Sequence, residues 1–62
     1  MINQRKQALE DVLRAYIKRF DALTLEEWGR LSDFVDLLKS RDLITQGQAE
    51  KLHDTLNYKA KG

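Results

Sequence analysis

The chain has 62 residues, no cysteine, no proline and one histidine, and its 11 basic and 10 acidic side chains leave a net charge of +1. One domain at most fits this length, in a size class that buries only about 60% of its unfolded surface. Disulfide staples are impossible, and a lone histidine without cysteine lacks the ligand set of a structural zinc site. No apolar run approaches the roughly 18 residues of a membrane span, and residues 1–6 are polar rather than a signal peptide. The expectation is a soluble, cytoplasmic protein whose small core is supplemented by oligomerisation or by very regular helix packing.

With glycine only at Gly29, Gly47 and Gly62 and no stretch of strand alternation, the whole chain reads as helix with short breaks. The first helix is predicted over residues 3–20, with Asn3 as N-cap. Leu9, Val12, Leu13, Tyr16, Ile17 and Phe20 follow the i, i+3, i+4, i+7 template within an arc of about 140°. One face is buried and the other solvated, and Glu10 with Arg14 forms an ordinary i, i+4 surface pair.

The sharpest local signal is Leu23-Thr24-Leu25-Glu26-Glu27-Trp28. Thr24 and Glu27 have the spacing of a capping box, and Leu23 and Trp28 stand at the two positions of a hydrophobic staple. Glu26 and Glu27 also place negative charge at the positive end of the helix dipole. A second helix is therefore predicted over residues 25–40. Its apolar residues spread over about 240° of the wheel, where a surface helix needs a stripe of roughly 100° or a little more. Such a helix is either central to the chain's own bundle or covered in part by another chain. Trp28 is committed to the staple and Tyr16 and Phe20 to the first helix's stripe. Phe34 and Leu37 lie on the far side of the arc and call for a cover.

Thr45-Gln46-Gly47-Gln48 repeats the capping signal in weaker form, with Ile44 before it. The third helix is predicted over residues 46–58, with a thin inner stripe of Ala49, Leu52 and Leu56, His53 at its margin, and Gly47 costing roughly 1 kcal/mol relative to alanine. It is the helix expected to fray or to need a partner, and residues 59–62 read as a disordered tail. Connections of about 3 and about 5 residues fold neighbouring helices back on each other. The predicted fold is all-α: a compact three-helix unit, a helical hairpin plus a short third helix, assembled as a homodimeric helical bundle.

No constellation carries catalysis. Glu26, Asp33 and Asp36 share a solvated face with no route to burial. His53 has no metal-ligand set and no nucleophile to activate, and no glycine-rich phosphate loop occurs. The protein reads as a non-enzyme without metal or cofactor. Charge is uneven: residues 1–20 hold five bases against two acids, whereas residues 21–42 hold three against six. Leu31, Phe34, Leu37 and Leu38 form a knot of large side chains expected to make a protein interface, with Arg30 and Asp33 on its rim. The expected function is a small regulatory or inhibitory protein that binds another protein through this surface, itself a homodimer. The alternative is a helix-turn-helix-like DNA-binding regulator whose third helix presents Gln46, Gln48 and Lys51 to base edges and phosphates. The chain concentrates little of the basic charge that such binding lives on.

The stretch Leu37-Leu38-Lys39-Ser40-Arg41-Asp42-Leu43-Ile44-Thr45, followed by Leu56, resembles the short C-terminal helical domain over about a third of the chain. In that family a leucine-rich helix turns at a glycine into an Ile-Thr cap and a second helix. Here Asp42 stands in the glycine's place, and Gln48 and Ala49 replace a Glu-Phe pair. The resemblance implies an oligomerisation or interaction role.

Overall fold

Two capping boxes set where the chain turns. In the computed structural model, which describes residues 4–61, the helices are α1 (Gln4–Lys18), α2 (Leu25–Ser40) and α3 (Gln46–Ala60). The Thr24 hydroxyl accepts from the Glu27 N–H at 3.1 Å and the Glu27 carboxylate accepts from the Thr24 N–H at 2.9 Å. Thr45 and Gln48 make the same reciprocal pair at 3.1 and 2.8 Å. Leu23 and Ile44, each one residue before its cap, are buried in the core. Each box thus satisfies two backbone donors and fixes the angle of chain entry together. The expected Asn3 cap lies outside the described residues.

Helix α2 ends in a left-handed turn. Leu43 N–H donates to Leu38 C=O at 2.9 Å and Asp42 N–H to Lys39 C=O at 3.0 Å, the hydrogen-bond pair of a Schellman motif, with Asp42 at φ 60°. The backbone at Asp42 is of the kind that glycine adopts without a Cβ penalty. Asp42 is tied back to α1 by Lys6 Nζ at 2.9 Å.

Packing corrects the expectation for α3. This helix does not end at residue 58; it runs to Ala60 and is the middle helix of the fold, with both α1 and α2 packed on it. Among the described residues no Cα of α1 comes within 8 Å of one in α2. The thin stripe is the reason. Ala49, Leu52 and Leu56 are buried completely or nearly so because longer side chains reach them from both flanks: Leu13 and Ile17 from α1, Val35 and Leu38 from α2. Leu23 N–H donates to Lys59 C=O at 3.1 Å, which holds in the helix residues assigned to a disordered tail. Between α2 and α3, Trp28 Nε1 donates to Asn57 Oδ1 at 2.9 Å, and His53 Nε2 faces Asp36 Oδ1 at 2.9 Å. At the level of the backbone, the wide apolar arc of α2 consequently approaches one helix rather than two.

Replacing Asp42 by glycine removes left-handed strain of about 1 kcal/mol and gives up an exposed ion pair worth less than that. Urea denaturation of D42G is expected to show a higher midpoint at unchanged m; a lower midpoint would mean that the Lys6 pair outweighs the backbone term.

Candidate protein-binding face

The end-to-end contacts define how α1 and α2 lie. Lys6 meets Asp42 at one end, and Tyr16 and Phe20 share a cleft of about 220 Å³ with Glu27, Arg30 and Leu31 at the other. The two helices run antiparallel and both flank α3, which leaves a furrow between them. On α1, Val12 is 65% exposed and Tyr16 51%; on α2, Phe34 is 43% exposed and Leu37 46%. Tyr16 stacks edge-on against Phe20 with ring centroids 5.4 Å apart, and Phe20 packs partly buried against the core.

The residues expected to form an interface divide into two groups. Leu38 belongs to the chain's own core and Leu31 is half-buried against it, while Phe34 and Leu37 remain open to solvent beside them. Arg30 and Asp33 are exposed, and Arg30 lies 3.5 Å from Glu26. Val12 and Tyr16, assigned to the core by their spacing, are instead the α1 half of the same open surface. Their place at one edge of the α1 stripe, about 20–80° from Leu9 and Phe20, was the available signal.

Gln46 lies apart from Gln48, which shares a face with Lys51 about 60° away. Gln48 Oε1 is held in the capping box and Gln46 Nε2 donates to Glu50 at 3.3 Å. The two glutamines point about 160° apart around the helix, so no single groove is met by both. A further cleft of about 490 Å³ between α1 and α3 is walled by Lys18, Asp54, Thr55, Tyr58 and Lys59. Most of its lining surface is apolar, although the residues that supply it are polar or aromatic.

One buried acid escaped the reading of α1. Glu10 is 1% exposed, and its carboxylate accepts from the Arg14 guanidinium. The pairing is the expected i, i+4 one, yet Glu10 lies beside Ile17 on the wheel and so on the packed face. Its partner Arg14 also reaches Asp11 at 3.5 Å. An acid neutralised in this way holds the core together and has no substrate-facing side. His53 bridges α3 to α2, with Nε2 2.9 Å from Asp36 Oδ1 and Nδ1 3.4 Å from the Ser32 hydroxyl. Among the described residues no group of three His, Cys, Asp or Glu could hold a metal ion, and no helix is long and apolar enough to cross a membrane.

Truncating Arg14 to alanine strands the Glu10 carboxylate in the core and is expected to cost about 3 kcal/mol, the low end for a broken buried pair because Arg14 is partly solvated. Chemical denaturation of R14A beside K18A, an exposed control, measures this; equal small losses would make the pair a surface one. Compared with known proteins, the chain matches no family model, no curated protein and no solved structure, so the resemblance of residues 37–45 to the short C-terminal helical domain has no match behind it.

Proposed function

We propose that the protein is a small non-enzymatic regulator or inhibitor that acts by binding another protein along the α1–α2 furrow. The observation that carries this reading is the apolar surface left on two helices that both pack on α3 and not on each other: Val12 and Tyr16 on one bank, Phe34 and Leu37 on the other. Scattered exposed apolar residues need no explanation, but four large ones on the two helices that flank α3 support the reading of an interaction site. Occupancy by mass action would suffice to shift a partner's equilibrium, with no turnover. A second copy of the chain, giving the homodimeric bundle, is the other occupant that apolar exposure by itself allows.

Phe34→Asp tests the reading. Because Phe34 is outside the core, F34D is expected to keep the helical circular dichroism and to change stability by no more than about 0.5–1 kcal/mol, while L56A, at a fully buried site, loses about 2–5 kcal/mol. Tagged wild-type protein recovered from its native cells should retain a nuclease-resistant protein in stoichiometric amount, and F34D should lose it. Retention of nucleic acid by both proteins would overturn the proposal in favour of α3.

A further inference from the structure

The cleft shared by Tyr16, Phe20, Glu27, Arg30 and Leu31 has walls that specify a side chain. Its volume is about 220 Å³. That is below the roughly 300 Å³ at which small-molecule pockets begin, and it suits one large side chain better than a free ligand or cofactor. Phe20 and Leu31 are half-buried against the core, while Tyr16 is open to solvent with its ring edge-on to Phe20. Val12 precedes Tyr16 by one turn and Phe34 follows Arg30 by one turn, so on each helix the cleft continues into an exposed apolar residue.

Each wall restricts what can enter. The two rings and Leu31 favour an apolar or aromatic body. Glu27 is half-buried; the Thr24 N–H occupies its Oε1, and its second oxygen has no donor among the described residues. An aliphatic or phenyl group seated there would strip water from that oxygen and return no hydrogen bond. A partner carboxylate would meet the like charge of Glu27. A partner ammonium would meet Arg30, whose guanidinium lies 3.5 Å from Glu26. What remains is an uncharged aromatic ring that carries a hydrogen-bond donor.

We infer that this cleft receives a tryptophan side chain of the partner protein, its indole ring packed against Tyr16 and Leu31 and its N–H donated to the second oxygen of Glu27. The inference rests on the protein-binding reading above and names the residue that anchors the partner. Indole is a donor with no acceptor atom, so it sets no lone pair against the carboxylate, as the phenol oxygen of tyrosine would. The Arg30 and Glu26 side chains are both largely exposed, and a surface pair of this kind rearranges at little cost. Arg30 can therefore lie over the ring, and among aromatic faces the indole is the best for a cation. Tryptophan is also among the residues that most often carry the binding energy of an interface.

The test is a titration of isotope-labelled full-length protein with indole, 1-methylindole and butylammonium, followed by nuclear magnetic resonance. Indole is expected to shift the resonances of Tyr16, Phe20 and Leu31 and to bind at least about threefold tighter than 1-methylindole, which has the ring without the donor. Glu27→Gln makes the matching change in the protein. Glutamine at this place keeps the capping box, as Gln48 does with Thr45. Once its oxygen takes the Thr24 N–H, it offers the cleft an amide donor in place of an acceptor. E27Q, shown by circular dichroism to remain helical, should therefore bind indole no better than 1-methylindole. Equal binding of the two indoles by the wild type would overturn the bond to Glu27 and with it the choice of tryptophan. Tighter binding of butylammonium at these residues would assign the cleft to a lysine instead. Absence of shifts at Tyr16, Phe20 and Leu31, with the nuclease-resistant partner still recovered, would overturn the anchor and leave the protein-binding reading in place. Absence of both would overturn both.

Discussion

Everything in this fold depends on how little apolar surface α3 presents. Ala49, Leu52 and Leu56 make a ridge only three side chains long, and both neighbouring helices bury against it. A ridge of that size is covered fully by two flanking helices, so α3 is the best-buried element. The same economy leaves α1 and α2 apart, because each spends its strongest apolar positions on α3. Leu13 and Ile17 go inward on α1, Val35 and Leu38 on α2, and the residues one step around each wheel have nothing left within the chain to meet.

The supports around that ridge are directional rather than hydrophobic. Two capping boxes fix the starts of α2 and α3, a backbone bond from Leu23 to Lys59 closes the far end, and side-chain bridges from Trp28 to Asn57 and from His53 to Asp36 pin α2 to α3. A domain without disulfide or metal needs such fixed geometry, since its core alone is marginal. Glu10 shows the limit of the scheme: a carboxylate accepted into the packed face because Arg14, one turn on, supplies its charge.

What could be read from sequence follows the range of the interaction. The starts of α2 and α3 are local events involving four residues each, and Thr24-Leu25-Glu26-Glu27 and Thr45-Gln46-Gly47-Gln48 announced them. The excess on α2 was legible too, in that Phe34 and Leu37 do lie open. Which helix is central was not, because periodicity measures the width of a stripe and says nothing of how many neighbours share it: the broad stripe of α2 faces one helix and the narrow one of α3 faces two. Tyr16 and Val12 were placed inside for the same reason, as their spacing matched a core that α2 does not come close enough to complete. Residues 59 and 60 looked like tail because the bond that orders them begins at Leu23, a distance no local pattern encodes.

The account stands on α1 and α2 being separate in the free protein, with the furrow between them open. Methyl and aromatic nuclear Overhauser contacts in the free protein, at a concentration where sedimentation shows a single species, measure this directly. Leu52 and Leu56 should show contacts to both Ile17 and Val35, with none joining Val12 or Tyr16 to Phe34 or Leu37. Strong contacts between Val12 and Phe34 within one molecule would contradict the account, because the chain would then be covering the surface assigned here to a partner.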